Sequence, residues 1–490
     1  MIRIEDRTVK KQKNFWNACV FHPTDAVEDP WGRRILDRMA KDGAVKTVRI
    51  YAMLEDIVYL DEEGGLCFDF RLSDLRLDYL LEQGYDLLLA YAGIPDCIAA
   101  SLDGKTSVAK GKTRYKGKMW NTSSPKDLGL WEEICRAYTQ HNVDRYGIET
   151  VSKWRCQCFN EPDIPLFFLS ELPHDAVEAR LSAYCGLYEA FERGIGRVSE
   201  KIPVGGPALA EKPAFLEGFL RHVKAKGLKL DFLSFHSYGT TPMQLNDGSL
   251  PFCTDSLMRK YRTYHEIARA CGFAHTPLLV DEWGMAAAGF YNCEECPALR
   301  ARETEVFSAY YAKLLCEIAA SDLPIEMLSV CLSGQHEMKE DFSGFRNFFT
   351  LHFIKKPIYN AHVLASRLGE ELLPPVQDGN LFALPTKTEG GGYAVLFSYA
   401  APQFEDVPDR EVTVTFAEDI SEKTVTVWCI DREHTNPYRL YQKMGEGALS
   451  EEDLRRLRRE GELAPLAVQK GTAPISLRFT PNAVMLLTVE

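Results

Sequence analysis

The sequence predicts an α/β protein, a (β/α)8 TIM barrel followed by an all-β sandwich, and three observations predict it. From about residue 15 to 372, eight short apolar runs alternate with amphipathic segments, which is the strand count of such a barrel. No Gly-rich turn follows the first run, which disfavours a doubly wound open sheet, the alternative fold. After residue 372 the pattern changes to β-branched runs separated by turn residues, as in a sandwich.

Each predicted barrel strand is an apolar run of the length of a buried strand. These runs lie at 17–21, 45–52, 86–91, 152–159, 202–206, 231–238, 277–284 and 326–333. Helices are predicted where apolar residues recur at three- and four-residue steps. The clearest examples lie at 175–200, 213–226 and 302–320.

The C-terminal part, residues 373–490, is predicted as the sandwich domain, after a barrel of residues 15–372. A helical insert is predicted near 434–468, because Ser450 is a suitable N-cap and three acidic residues follow it. Residues 1–14 could supply an additional strand to the sandwich.

Composition excludes several classes of protein. The chain has 490 residues and a net charge of −13, which argues against a nucleic-acid partner, since such binding depends on clustered Lys and Arg. No run of about 18 apolar residues is present, so no membrane span is predicted. The N-terminus shows no secretory signal, and fourteen cysteines without one are interpreted as reduced thiols. We therefore expect a cytoplasmic protein, with the oligomeric state left open, a homo-oligomer included.

Two glutamates lie at the ends of predicted strands, where barrel enzymes place their catalytic groups. Glu161 follows the fourth strand within Asn160-Glu161-Pro162, and Glu282 ends the seventh within LLVDEWG. Either motif alone would be compatible with an ordinary loop. Together they fit glycoside cleavage, in which one carboxyl stays protonated and one stays ionised, roughly 5–5.5 Å apart in retaining enzymes. We predict that Glu161 is the general acid/base and Glu282 the nucleophile.

Several segments resemble glycoside hydrolase family 39, the β-xylosidase and α-L-iduronidase family of clan A, over nearly the whole chain. They are VRIYAMLEDIV, WRCQCFNEPDI, DFLSFHSYGT and LLVDEWG in the barrel, FTLHFIKKPIYNAHVLASRLG leading out of it, and IDREHTNPYRLYQKMG with LSEEDLRRLRREGEL in the tail. The resemblance implies a retaining, exo-acting glycosidase acting on an oligosaccharide or glycoside, with β-xylosidase as the first choice. The alternatives are α-L-iduronidase, arabinosidase or β-glucosidase activity, an endo-acting glycanase, or a carbohydrate-binding protein without catalysis.

Two departures from the family pattern affect the sugar-binding floor. Cys331 or Leu332 stands where related enzymes commonly have a Trp, and Tyr51 stands where the family often has a His. The identity of the sugar therefore stays open.

Seven further residues are predicted to bind the substrate. His236 and Tyr238 alternate on strand six and so share a face, and Arg49 can hold Glu282 ionised through a charged hydrogen bond. The resemblance implies that Asn160 bonds the sugar 2-hydroxyl. For each, a turn or core role is the alternative. The seven are Arg49, Asn160, His236, Tyr238, Trp283, His22 and Glu337.

No cofactor or metal is predicted. Cys293 and Cys296 form a lone C-x-x-C, whereas a structural zinc site needs four ligands. The basic run at 110–118 is interpreted as a solvated loop or pocket rim. We see no phosphate-binding Gly-rich loop and no nucleophilic Ser elbow.

Overall fold

A computed structural model describes most of the chain, namely residues 1–22, 26–106, 120–287, 291–332, 338–403, 405–472 and 475–490. Eight parallel strands close into a barrel, which confirms the predicted fold. The barrel closes where β8 pairs with β1. The strands are Ala18–Val20 (β1), Thr47–Tyr51 (β2), Asp86–Tyr91 (β3), Arg155–Cys158 (β4), Val204–Leu209 (β5), Phe232–Thr240 (β6), Leu278–Ala286 (β7) and Ile325–Cys331 (β8).

A helix follows each barrel strand before the next strand or the C-terminal sheets begin. The helices are Pro30–Asp42 (α1), Arg71–Glu82 (α2), Leu128–Tyr146 (α3), Val177–Gly196 (α4), Pro213–Lys226 (α5), Asp255–Cys271 (α6), Glu305–Ala319 (α7) and Pro357–Ala365 (α8). Within the described residues, no helix combines the length and apolar character needed to cross a membrane.

The barrel interior is divided into two layers. Near the amino ends of the strands, five apolar side chains from different strands pack together. They are Ala18, Leu88, Phe232, Leu279 and Met327. Closer to the carboxyl ends the filling becomes polar, with Arg49, Gln157, Ser234 and Asp281 all fully buried. Buried polar groups need partners. This polar layer, called the polar floor below, therefore forms a hydrogen-bonded network under the mouth of the barrel.

Beyond the barrel the chain forms two further sheets. Strands Glu371–Leu372 (β9), Val376–Asp378 (β10), Leu381–Lys387 (β11), Tyr393–Tyr399 (β12), Arg410–Phe416 (β13), Thr424–Ile430 (β14), Pro465–Lys470 (β15), Ile475–Phe479 (β16) and Val484–Val489 (β17) contribute to them. The smaller sheet has the order Ile2–Ile4, β13, β16. The larger runs from Lys10–Lys11 through β9, β11, β12, β17 and β14 to β15.

The larger sheet has two different faces. Along β12, Val395 and Phe397 join an apolar cluster with residues of the smaller sheet, such as Val414. The alternate residues Ala394 and Leu396 pack into the core of the barrel domain. The two sheets therefore share one core, and we propose that they form the predicted sandwich, with the domain boundary near residue 372.

The helical insert lies between β14 and β15 and contains two helices, Pro437–Lys443 (α9) and Glu451–Glu460 (α10). Ser450 caps α10 through a hydrogen bond from the Asp453 amide, which is the cap that the sequence predicts. Both helices pack on the segment that follows β8, through an apolar cluster that includes Phe342 and Ile354. The insert thus connects the C-terminal part with the carboxyl side of the barrel.

Candidate active site

The turn after β4 positions Glu161 by unusual backbone geometry. Phe159 and Glu161 have φ angles of +65° and +46°, a region that residues with a Cβ rarely adopt. The Glu161 amide donates to the carbonyl of Ala208 over 3.0 Å, which ties this turn to the end of β5. The buried carboxylate of Asp163 accepts three further hydrogen bonds. Its donors are the backbone amides of Ala210, Glu211 and Lys212.

A bulge in β7 positions Glu282. The pairing of β7 with β6 runs from Phe235–Val280 directly to His236–Glu282, so that Asp281 is the extra residue. In a regular strand, neighbouring residues face opposite sides. The bulge instead lets Asp281 and Glu282 both reach the barrel interior, where both contact Arg49.

The two predicted catalytic carboxylates face each other. One oxygen of Glu161, one oxygen of Glu282 and a ring nitrogen of His236 all lie within 4.8 Å of one another. Both glutamate side chains are largely buried, with 14% and 11% of their surface exposed. This separation is shorter than the 6.5–9.5 Å that inverting glycosidases use, and it suits direct attack by one carboxylate.

Glu282 is held by cations and hydroxyl groups on both oxygens. Arg49 lies 2.8 Å and the Tyr51 hydroxyl 3.0 Å from Oε1, while the Tyr238 hydroxyl donates to Oε2 over 2.8 Å. Burial opposes ionisation, but the charges of His236, Arg49 and Arg346 outweigh it. Together with the Tyr238 hydrogen bond they lower the pKa of Glu282 to about 2. The carboxylate is therefore ionised at neutral pH, as a nucleophile must be.

Glu161 has the opposite electrostatic environment. Burial raises its pKa above the ordinary value and the neighbouring Glu282 adds to the effect, while His236 acts against it. His236 Nδ1 lies 2.6 Å from Glu161 Oε1. Although burial disfavours an imidazolium, Glu282, Asp281 and Glu161 raise the pKa of His236 to about 10. Two glutamates with opposed shifts can act as an acid and a nucleophile in one reaction.

The polar floor holds Arg49 in place beneath these groups. The Arg49 Nε lies 3.0 Å from Asp281 Oδ2 and donates to Gln157 Oε1 over 2.9 Å. The Gln157 amide in turn donates to Asp281 and to the Ser234 hydroxyl, each over 2.7 Å. The Arg49 side chain is fully buried, so its charge is screened little by water.

The structure places the other predicted site residues differently. Asn160 lies at the site, where its Oδ1 accepts from Arg49 over 2.8 Å. His22 borders it, with its ring 5.8 Å from the ring of Tyr51. Glu337 lies outside the described residues.

The prediction that Trp283 stacks on the sugar is wrong. Its indole is 1% exposed and stacks on Tyr311 of α7, with ring centroids 5.7 Å apart. Phe307 of the same helix contacts it edge-on. Because Glu282 faces the interior, the next residue of the strand faces the surrounding helices.

Sequence reasoning assigned no role to five residues of the site, although it identified Tyr51 and Cys331 as departures from the family pattern. Two of them, Asp281 and Gln157, lie one and four positions before the predicted glutamates, and Tyr51 lies two positions after Arg49, on the same strand face. Their placement on strand ends was the available signal. Cys331 was noted only as a replacement for Trp, and its thiol lies 3.6 Å from Glu282 Oε2. Arg346 could not be found in this way, because it lies in a loop and not at the end of a strand.

Metal-ligating groups in the described residues form two clusters of three. One is the catalytic cluster of Glu161, His236 and Glu282. The neighbouring carboxylates raise the pKa of its histidine to about 10, and a metal ligand must be neutral imidazole, so binding a metal ion here would require loss of that proton. The other cluster, Cys429, Asp431 and His434, lies at the end of β14 and in the turn that follows it.

Comparisons with known proteins identify the relatives of this chain. Residues 1–469 match the family model "Glycosyl hydrolases family 39". A β-xylosidase of Caldicellulosiruptor saccharolyticus is 24% identical over 512 aligned residues, covering 98% of this chain and 96% of that protein. An α-L-iduronidase of Canis lupus familiaris is 25% identical, covering 56% and 40%. The crystal structure of a monomeric β-xylosidase from Caulobacter crescentus CB15 has a TM-score of 0.82 and 22% identity, over 100% of this chain and 99% of that one.

Proposed function

The chain belongs to glycosyl hydrolases family 39, and on this premise we propose that it removes a terminal sugar by double displacement, with a β-linked xylose as the first choice. The chain is an O-glycosyl hydrolase by its family. The observation that carries the proposed division of roles is the pair of facing glutamates with opposed pKa shifts. Relatives named β-xylosidase, which match nearly the whole chain, support the choice of xylose.

In the first step, Glu282 attacks the anomeric carbon. A bond forms between its carboxylate oxygen and that carbon, while the bond from carbon to the leaving oxygen breaks. Glu161 gives its proton to the leaving oxygen, so that the aglycone departs as a neutral alcohol. The raised pKa of Glu161 keeps this proton available at a higher pH than an ordinary glutamate would.

In the second step, a water molecule displaces Glu282. Glu161, now ionised, removes a proton from the water as the new bond to the anomeric carbon forms. The bond to Glu282 breaks, and its carboxylate leaves as a stable anion because of the low pKa. Two inversions give net retention of configuration.

The residues around Glu282 assist by holding its charge and orientation. Arg49, Tyr51 and Tyr238 donate hydrogen bonds to its two oxygens before the substrate arrives, so little reorganisation is needed. The Asn160 amide oxygen already accepts from Arg49 over 2.8 Å. Its NH₂ group is therefore what can bond the sugar 2-hydroxyl.

Hydrolysis of a panel of aryl glycosides tests the function. The panel contains the β-xyloside, α-L-arabinoside, β-glucoside and α-L-iduronide, the last because iduronidases are among the relatives. We expect the xyloside to react fastest and NMR to show β-xylose as the first product. As a control, Glu326→Ala removes a half-exposed glutamate that lies on β8 and pairs with Arg155, and it should leave the rates unchanged. Release of the α-anomer would refute the mechanism. Cleavage of none of the four would favour a carbohydrate-binding protein.

We also propose a cytoplasmic location. All fourteen cysteines are free thiols, and eleven of them are buried, which suits a reducing compartment. Fractionation of cells that express the native gene tests this proposal. Recovery of the protein outside the cytoplasmic fraction would contradict it.

A further inference from the structure

We propose that Arg346 is a positioning residue that acts on the nucleophile through Tyr238. Its Nη1 donates to the Tyr238 hydroxyl over 2.8 Å, and that hydroxyl lies 2.8 Å from Glu282 Oε2. A tyrosine hydroxyl has one proton and can also accept. Because Arg346 occupies an acceptor position, the single proton of Tyr238 is directed to Glu282. The inference rests on the proposed role of Glu282.

The same arrangement occurs on the other oxygen of the nucleophile. Arg49 Nη1 donates to the Tyr51 hydroxyl over 3.0 Å, and that hydroxyl lies 3.0 Å from Glu282 Oε1. Each carboxylate oxygen therefore has an arginine–tyrosine couple of its own. The Arg49–Tyr51 couple lies within β2, and its arginine is among the residues that the sequence predicts. The Arg346–Tyr238 couple instead joins the segment after β8 to β6. Two couples fix the plane of the carboxylate as well as its charge.

The backbone just before Arg346 is held by a buried ionic cluster. The carboxylate of Glu303 accepts from the Gly344 amide over 2.7 Å and pairs with Lys356 over 2.6 Å. Lys356 also donates to the Phe345 carbonyl over 2.9 Å. Both ionic side chains are almost completely buried, at 0% and 1% exposure.

Glycine is required at position 344 of this segment. Its φ is +83°, and an added Cβ would lie 2.4 Å from the Cys293 sulfur. Since a buried ion pair seldom adds net stability, its position here fits a role in fixing the loop that carries Arg346.

A direct contact between Arg346 and the sugar is the competing role, and kinetics can separate the two. A residue that only binds the sugar should raise KM and leave kcat unchanged. A residue that orients Tyr238 should lower kcat, change KM little, and alter the pH dependence of kcat/KM. Its effect on kcat should also disappear when the tyrosine hydroxyl is absent.

The test compares four proteins with the wild type, using the aryl glycoside that the wild type hydrolyses fastest. They are Arg346→Met, Arg346→Lys, Tyr238→Phe and the double variant Arg346→Met/Tyr238→Phe. Arg346→Met should lower kcat by roughly 10- to 100-fold, the range for loss of a hydrogen bond from a charged donor. The acidic limb of kcat/KM should move to higher pH by about one unit, because a cation near Glu282 is lost. Arg346→Lys, which keeps the charge, should restore most of kcat and most of the original position of the acidic limb.

The double variant decides between the roles. If Arg346 acts through Tyr238, adding Arg346→Met to Tyr238→Phe should cost less than about threefold further, since the hydroxyl that it orients is already gone. Full additivity of the two losses, or a rise in KM alone, would overturn the inference. Thermal unfolding of each variant separates these effects from loss of the fold. A wild type that cleaves no glycoside would instead refute the proposed function.

Discussion

The surroundings of Glu161 and of Glu282 differ although the residues are chemically identical and lie within 4.8 Å of each other. Glu282 is bonded by Arg49, Tyr51 and Tyr238, whereas among the described residues the Glu161 carboxyl contacts the imidazole of His236. Burial raises the pKa of both groups, and only around Glu282 do the cations outweigh it. The positions of the neighbouring charges therefore decide which glutamate is the ionised nucleophile and which is the protonated acid. Burial strengthens the effect of these charges on the two pKa values.

The backbone produces this difference. Glu282 is part of a strand, and the bulge at Asp281 turns it towards the interior beside Arg49. Glu161 lies beyond the end of β4 in a left-handed turn. Four predictions test how far each environment sets the chemistry.

The largest effect is expected for Glu282→Ala. No glycosyl-enzyme can form, and kcat should fall by roughly 10⁴-fold or more for every aryl glycoside. Azide should restore part of the rate and give a product of inverted configuration, which NMR identifies. Glu326→Ala is the matched control. A retained product from the azide reaction would show that another group is the nucleophile.

Glu161→Ala should depend on the leaving group. General acid help contributes about 10²–10⁴-fold and matters only when the leaving oxygen needs a proton. A dinitrophenyl glycoside should therefore still glycosylate the enzyme, and azide should then release a product of retained configuration. Rates measured for aryl glycosides with a series of phenol leaving groups show how the rate depends on the leaving group. Equal loss for good and poor leaving groups would contradict the assignment.

Arg49→Met should weaken both activity and the fold. Asp281 and Glu282 lose their shared cation in a fully buried setting, and the free energy of unfolding in urea should fall by about 3–5 kcal/mol. The pKa of Glu282 is about 2 in the fold, so its contribution to stability is present above its ordinary value of 4.5 and lost as the pH falls towards 2. In the variant this loss should begin at higher pH. Arg49→Lys should recover part of the stability. An unchanged acid unfolding curve in Arg49→Met would sink the argument.

His236→Asn should have the smallest effect, a shift of the basic limb of kcat/KM to higher pH by about one unit. The imidazolium lowers the pKa of Glu161, and its removal keeps the acid protonated further into the alkaline range. The pKa of His236 is about 10, so its contribution to stability is present below 6.5 and lost as the pH rises towards 10. The variant should lack that alkaline dependence. A basic limb that moves to lower pH would contradict the conclusion that His236 lowers the pKa of Glu161.

The fold could be predicted where local and tertiary preferences agree. Helix α5 begins and ends as predicted, at Pro213 and Lys226, because proline favours the first position and Gly227 ends it at φ +63°. Strand β15 was missed. All six of its residues are exposed, so it carries no pattern of buried and exposed positions.

The site could be predicted where residues lie at strand ends, and not where the backbone departs from regularity. Glu161 and Glu282 were found from strand position alone. The bulge that places Asp281 beside Arg49 and turns Trp283 outwards leaves no trace in the local sequence. Arg346 contacts Tyr238 from a loop whose backbone is bonded by Glu303, a residue of a different part of the chain. Such contacts depend on tertiary structure.

The most direct test of the opposed roles is to trap the intermediate. Wild-type protein is incubated with 2,4-dinitrophenyl 2-deoxy-2-fluoro-β-xyloside, in which the fluorine slows the second step, and the digested protein is examined by mass spectrometry. We expect one equivalent of dinitrophenolate and a fluoroxylosyl group on the peptide that contains Glu282, with none on the peptide that contains Glu161. A label on Glu161, or release of dinitrophenolate without a labelled carboxylate, would contradict the account.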